Sequence, residues 1–479
     1  MRHTKFRYFF SVYAALMFYV CMFVVYPAHD DWWYAAPKPG MNLIAGLMPE
    51  VDFWRPFDRI IEYVLGYAPY LFPYANHFLV LTGHLALCAT LYILLLHLTK
   101  NHTCSFIGAL FSCLSPGIVL TLTNPDFINQ VWTMVFGVTA AFFFCKGRRI
   151  MWFVFAFLSV LTKENGIVWF IAPVMLNVVY MFVNGENLLS AIKRNFVYII
   201  IGAAGMILYF CVRFYLIGGI VLGGETADKG RYSINLSLLH IIRNYTLIIG
   251  GAVTPLDSLA LFLKPRNFPM LILTGTASII FIVFILAGIA GVFRSNRRIF
   301  WGLVLFFVCA GYISSPYAVV GHNSEATAYE MVFMIGLMLG VMLSAYSSSG
   351  TSLSRIVLAV TLVCMVLSSG HKILTKHEYT LGVHNFLNEH RADFTNTPRK
   401  AYVYLVEDIE EAGYATYKYP LGHGLGDGSA FNSLWGWEAE IVKRRVSGDV
   451  DIVLTPESLP EYDTVFSLTQ SGTLKVLRN

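Results

Sequence analysis

Apolar residues run along this chain in long blocks separated by short polar links, and each block has roughly the length a helix needs to cross a bilayer. A hydrocarbon core takes about 20 apolar residues per span. Eleven blocks read as spans: about 8–27, 76–98, 104–122, 127–145, 150–162, 165–183, 195–217, 270–293, 299–314, 330–346 and 353–370. The stretch 236–263 is also fairly apolar, but His240, Arg243, Pro255 and Asp257 interrupt it, which predicts an amphipathic or re-entrant element at the interface. From about 371 the pattern changes. "KAYVYLVED" (400–408), "DIVLTP" (451–456) and "TVFSLTQSGTLKVL" (464–477) read as strands. The expected organisation is a polytopic α-helical membrane domain over 1–370, with a first external loop at 28–75 and an external or interfacial segment at 218–269. A small soluble α/β domain over 371–479 follows. No internal repeat stands out, which argues against an inverted-repeat transporter.

Composition agrees with the block pattern. Of 479 residues, 56% are hydrophobic and only 13% charged, and the mean hydropathy is +0.60. A soluble protein carries about a quarter of its residues as charges. The net charge of +5 sits in short links, so nucleic acid is not an expected partner. The cysteines Cys21, Cys88, Cys113, Cys211, Cys309 and Cys364 lie inside apolar blocks, without a CxxC spacing, and predict core packing. Asn101, Asn235 and Asn244 head glycosylation sequons, a motif common by chance. The basic start and long first block, with no small-residue cleavage site after them, read as a retained first helix.

Positive charges orient the spans. Arg2, Lys5 and Arg7 precede the first block; Lys100, "KGRR" (146–149), Lys193, Arg194 and "RSNRR" (294–298) all share their side if 236–263 does not cross. The expectation is a cytoplasmic N-terminus and an extracytoplasmic C-terminal domain. Asp30, Asp31, Arg55, Asp126, Lys163, Glu164, Arg213, His322 and Glu325 then fall at one depth, near the outer surface. Charges near a bilayer are costly unless paired or facing a wet cavity, so a shared depth points to one polar cleft. The alternative, for any one of them, is a snorkelling side chain or a loop end. Lys163 and Glu164 occupy a link of a few residues between two helices, where Gly, Pro, Ser or Asn is more usual. In "HDDWWY" (29–34) two adjacent carboxylates repel, so at least one needs a cation, a bound ligand or a raised pKa. An interfacial aromatic belt with an acidic loop start is the plainer reading of that stretch.

Four short motifs occur in a recognisable order: "HDDWW" after the first block, "WRPFDRII" (54–61), "NHFLVLTGH" (76–84) and "LTKENGIVW" (161–169). The series resembles the GT-C superfamily of membrane glycosyltransferases, especially its protein O-mannosyltransferase-like members. The resemblance covers about residues 25–175, and more loosely Arg213 and "HNSEATAYE" (322–330). His77 and His84 keep the family's seven-residue spacing, which sets both on one helical face. The chain departs from the family at Phe57, where Leu is usual, at Val80, often Asn, and at Leu120, where a Glu often stands. No TPR repeat follows the last span.

The resemblance implies an inverting glycosyltransferase that takes a sugar from a polyprenyl-phosphate donor on the extracytoplasmic side. The acceptor is a glycan, a lipid or a protein. The compactness of the chain suggests a bacterial inner membrane; in a eukaryote the same topology would put the site in the ER lumen. In that reading Asp30 is the general base, with Asp31 as alternate. Lys163, Arg213 and Arg55 bind the donor phosphate, and His77, His84, Glu164, His322 and Glu325 support the site. His84 also reads as a satisfied core histidine, and Arg213 as a snorkelling side chain. A divalent ion at Asp30 and Asp31 has no supporting ligand cluster, and no other cofactor is expected. A polysaccharide polymerase or ligase, or a flippase for lipid-linked sugars, is the rival reading.

Overall fold

The computed structural model describes residues 2–28, 31–32, 42–49, 54–66, 74–217, 234–253, 268–320, 325–346, 352–391, 403–409, 424–425, 429–435, 439–445, 464–468 and 474–478. Helix α1 (Arg2–Tyr19) ends in a π-helical turn, Val20–Val24. The first loop carries the short α2 (Leu43–Leu47) and the amphipathic α3 (Pro56–Gly66). Next come α4 (Tyr74–Thr99), α5 (His102–Leu114), α6 (Val119–Leu122), α7 (Ile128–Cys145) and α8 (Arg149–Thr162). A 3-10 stretch, Glu164–Phe170, leads into α9 (Ala172–Val183) and α10 (Leu188–Ile217). The bundle closes with α11 (Leu238–Val253), α12 (Phe268–Ser295), α13 (Arg297–Ala318), α14 (Tyr329–Tyr346) and α15 (Ser352–Glu389).

Among the described residues nine helical stretches are long and apolar enough to cross a membrane. A tenth is the bent pair of α5 with Pro116–Leu122, whose axes differ by 52°; α8 is apolar but has only 14 residues. Each of the eleven blocks read from the sequence is therefore helical, and the chain is a multi-pass membrane protein. The bend has a local cause. Pro116 cannot donate to the helix ladder and forces Ser115 into an extended conformation, while the Ser115 hydroxyl accepts from the Gly117 amide at 3.3 Å.

Helix α14 is the hub. Almost all of it is buried, and small residues bring it against α5: a Cβ at Gly108 would strike the Gly336 carbonyl oxygen. Without a hydrophobic force between helices in lipid, such close backbone approach is what gains dispersion energy. The outer faces of α10, α12, α13 and α15 keep large apolar side chains exposed, among them Phe196, Ile207, Val283, Phe307 and Val363. Lipid, not water, is the solvent such faces suit.

Two stretches bear on points that composition alone left open. Helix α11 has 16 residues, is amphipathic, and is not among the apolar stretches of spanning length. Its buried Asn244 donates to the carbonyls of Ala318 and Val320, both at 3.0 Å, and so satisfies the end of α13 beyond Pro316. The remainder of 236–263, past Val253, lies outside the described residues. Helix α15 does not stop near 370. It runs unbroken to Glu389, so the polar composition after 371 begins inside a helix and not in a separate tail. Its polar groups are taken up by the bundle: Lys372 donates to the Pro116 carbonyl at 2.8 Å, and the His377 ring to that of Val24 at 2.6 Å.

Beyond α15 four strands pair: β1 (Val403–Ile409), β2 (Ala439–Arg445), β3 (Thr464–Leu468) and β4 (Leu474–Arg478), in the order β2-β1-β3-β4. β1 lies parallel to both β2 and β3, and β4 is antiparallel to β3. A short helix, α16 (Ser429–Trp435), precedes β2. The 451–456 stretch lies outside the described residues.

Candidate functional site at the long-loop end of the bundle

The helices alternate in direction, which sorts their links into two sets. One end of the bundle has the tight links 99–102, 145–149, 183–188 and 295–297, of which 99–102, 145–149 and 295–297 carry Lys or Arg. The other has the long first loop, the 115–128 bend, the 163–165 turn, the segment before α11 and the turn before α14. The ionisable residues of interest gather at this long-loop end.

The turn at Lys163–Asn165 is its centre. Lys163 takes an extended conformation (φ −154°, ψ 143°) that stops α8, and the chain folds back as a 3-10 stretch. Gly166 permits this. A Cβ there would collide with the Ser159 backbone, so only glycine lets the turn lie this close to α8. Three consecutive side chains then fan out into three sets of partners.

Glu164 is held by two arginines. Arg55, at the start of α3, grips it bidentately: Nε to Oε1 at 3.1 Å and to Oε2 at 2.9 Å, and Nη2 to Oε2 at 2.8 Å. Arg213, near the end of α10, donates to Oε1 from Nη1 at 3.5 Å. Trp54 stacks on Tyr209 at 5.7 Å, one turn before Arg213, so the first loop is fastened to α10 as well. Arg213 is 0% exposed. It does not snorkel, and the anion that offsets its charge is Glu164 itself. Burial works against the Arg55 charge, but the Glu164 carboxylate outweighs it and raises the guanidinium pKa.

Lys163 is half-buried, with Nζ 3.5 Å from the Gln130 side-chain oxygen and 6.0 Å from the centre of the Tyr317 ring. Burial, together with the Arg55 guanidinium, pushes its ammonium below the ordinary lysine range, against the pull of Asp126, Glu164 and Asp58. Asn165 faces inward, donating to Tyr317 Oη at 2.8 Å and to Glu330 Oε1 at 2.5 Å. Gln130 donates to the Ala326 carbonyl at 2.6 Å, and its neighbour Asn129 to Asp58 Oδ2 at 2.8 Å. Three cations, Arg55, Lys163 and Arg213, thus share one small region with the carboxylates of Glu164, Asp58 and Asp126.

A second cluster forms where α1 leaves the bundle. Asp31 is 2% exposed; its Oδ2 accepts from the Ala28 amide at 2.9 Å and meets His77 Nε2 at 3.0 Å. His77 Nδ1 lies 3.0 Å from the Cys21 carbonyl, which can only accept, so Nδ1 carries a proton. The Asp31 contact needs one proton more, on Nε2 or on Oδ2. The other oxygen, Asp31 Oδ1, is buried and has no hydrogen-bond partner among the described residues. The partner that the adjacent carboxylates call for is supplied, for Asp31, by the imidazole of His77, 46 residues further along the chain.

His84 belongs to neither cluster. Its Nε2 meets Tyr13 Oη at 2.9 Å and its Nδ1 meets Tyr329 Oη at 3.0 Å, deep in the core, as a satisfied structural histidine would. Asp30 and His322 lie outside the described residues; Glu325 opens the 3-10 turn Glu325–Ala328, and its side chain lies outside them too. Asp126 is exposed in the Pro125–Phe127 turn.

Sequence reasoning missed Asp58, Asn129, Gln130, Asn165, Tyr317 and Glu330. Glu330 carried a signal, since a carboxylate at the head of an otherwise apolar block needs a partner. The amides and the tyrosine carried none, because neutral polar residues are common at helix ends. Among the described residues no group of three or more His, Cys, Asp or Glu side chains gathers to hold a metal ion. No family model and no curated protein matches this chain.

Proposed function

We propose that the protein is an inverting glycosyltransferase that moves a sugar from a polyprenyl-phosphate donor to a hydroxyl acceptor. The site faces the extracytoplasmic side of a bacterial inner membrane, the N-terminus is cytoplasmic, and the C-terminal strands form a small α/β domain outside. The observation that carries this reading is the Arg55–Glu164 ion pair. It fastens the loop bearing the acid pair onto the turn bearing Lys163, so a base and a cation can serve one reaction.

The chemistry assigns each group a task. Asp30 takes the proton of the acceptor hydroxyl as that oxygen attacks the anomeric carbon from the face opposite the phosphate. The bond from anomeric carbon to phosphate oxygen breaks, and the phosphate leaves with the electron pair on its lipid. Lys163, with the partly exposed edge of Arg55, stabilises that departing charge. Asp31 and His77 hold the start of the loop, and Asp31 is the alternate base. Arg213 acts through Glu164, since it is fully buried and turned toward that carboxylate. Configuration inverts because a single displacement occurs and no sugar–enzyme bond forms.

Purified protein incubated with radiolabelled polyprenyl-phosphate sugars and a cell-envelope extract tests the assignment. The proposal expects label in an acceptor of opposite anomeric configuration to the donor. Label that only changes bilayer leaflet, or that stays on the lipid with every sugar tried, would refute it.

A further inference from the structure

The tight-link end of the bundle takes no part in the site above, and its charge is one-sided. The links 99–102, 145–149 and 295–297 carry Lys100, Lys146, Arg148, Arg149 and Arg297. The four links hold one carboxylate, Glu186, which Arg194 takes up at 2.6 Å. Part of the positive charge is tied into the fold: Arg149 donates to the Phe144 carbonyl at 2.6 Å and lies over the Phe144 and Tyr198 rings. Lys100 and Lys146 are exposed, and neither makes an ion pair among the described residues.

One imidazole brings these two lysines together. His97, in the last turn of α4, is half-buried, with its ring over Tyr180 at 6.0 Å and edge-on to Phe142 at 6.5 Å. Lys100 Nζ lies 3.4 Å from His97 Nδ1. An ammonium can only donate, so Nδ1 accepts, carries no proton, and the ring is neutral. Lys146 Nζ lies 5.7 Å from the centre of the same Phe142 ring, and its charge, like that of Lys100, reaches His97. Two ammoniums from the ends of α4 and α7 thus flank one uncharged ring.

The backbone marks Lys100 further. It closes α4 at φ 53°, and among the described residues no other non-glycine residue has a positive φ. Glycine or asparagine ordinarily fills that position, because a Cβ there is strained. Gly147, just past α7, takes the usual course at φ 76°. A lysine kept on a strained backbone implies a task for its ammonium, and its depth says which. α4 has 26 residues, about 39 Å at 1.5 Å per residue, against a hydrocarbon core of about 30 Å. Its end therefore stands among headgroups, with the exposed Ile93 one turn before His97 on the same face.

We infer that Lys100 and Lys146 bind the phosphate of an anionic phospholipid headgroup, seated beside His97 in the leaflet at the tight-link end. Phosphate oxygens accept from both ammoniums and relieve their repulsion. A headgroup of net negative charge is favoured over a zwitterionic one, whose own ammonium the cationic links repel. A soluble phosphate offers the same oxygens but no acyl chains to lie along Ile93.

Native mass spectrometry of the detergent-solubilised full chain with phosphatidylglycerol or phosphatidylcholine tests this. Wild type is expected to retain phosphatidylglycerol over phosphatidylcholine, and K100Q and K146Q to bind it about tenfold or more less tightly. K193Q, an exposed change on α10 at the same end, should bind as wild type does; thermal melts of each variant confirm folding. K100G, which relieves the left-handed backbone, should lose the lipid while melting no lower than wild type in lipid-free detergent. A lower melt would mean that Lys100 is kept for the fold, and would count against the inference. Excess glycerol 3-phosphate should not displace the lipid; displacement would assign the lysines to a soluble phosphate and overturn it. Equal uptake of the two lipids by wild type, unchanged uptake in folded K100Q and K146Q, or an equal loss in K193Q would overturn it as well.

Discussion

Arg55 and Glu164, 109 residues apart in the chain, are joined through both carboxylate oxygens, and Arg213 closes on the same carboxylate from α10. One acidic side chain is thereby the keystone between the first loop, the α8 link and α10. Removing it leaves a fully buried guanidinium and a partly buried one without their counter-ion.

Glu164→Gln is accordingly expected to destabilise the protein by about 3 kcal/mol, the usual cost of breaking one side of a buried pair. Arg55→Lys keeps the charge but not the two-pronged geometry, and should cost less. Chemical or thermal unfolding in detergent reads both. An E164Q protein as stable as wild type would show that the pairing is not what secures the loop.

The two histidines of "NHFLVLTGH" should separate cleanly. His84 holds the hydroxyls of Tyr13 and Tyr329 in the core, so His84→Phe leaves two buried hydroxyls unpaired and should cost about 1–3 kcal/mol for each. Its turnover per folded molecule should stay near wild type. His77→Gln should do the reverse, with modest loss of stability and a clear fall in kcat. Equal effects of the two changes on kcat would contradict the division of roles.

Lys163 predicts a pH dependence. Its ammonium is held below the ordinary lysine range by burial and by Arg55, so the charge is complete at low pH and is lost earlier than usual as pH rises. The KM for the donor should therefore climb on the alkaline side, starting below the ordinary lysine value of about 10.4. In Lys163→Arg, whose guanidinium stays charged throughout, that rise should vanish. A donor KM that climbs identically in K163R assigns the titration to another group.

How far the sequence foretold this arrangement depends on what kind of signal each feature leaves. Spans were legible because twenty apolar residues in a row have few other uses, and every block proved helical. The gathering of Lys163, Glu164, Arg55 and Arg213 was legible from depth, since charges at helix ends must find company near a bilayer. Their pairing was not. Arg213 looked as though it awaited a ligand anion, because nothing in the local sequence around it reveals that Glu164 lies opposite. The buried Lys372 and Lys376 of α15 were passed over for a different reason: the polar turn after 370 resembled the end of a span. The four-residue recurrence through 372, 376, 380 and 384 marks a helix face, but only once the helix is known to continue. The Asn165–Glu330–Tyr317 set escaped because two of its three members are uncharged.

In the proposed reaction the acid pair bears the chemistry, and the turnover of two single variants tests that proposal most directly. Initial rates of sugar transfer from labelled polyprenyl-phosphate donor should fall by a factor on the order of 10²–10⁴ or more in Asp30→Asn, with melting temperature unchanged. Asp31→Asn, which alters the His77 contact, should fall less and lose some stability. Wild-type rates in a folded D30N protein would contradict the account.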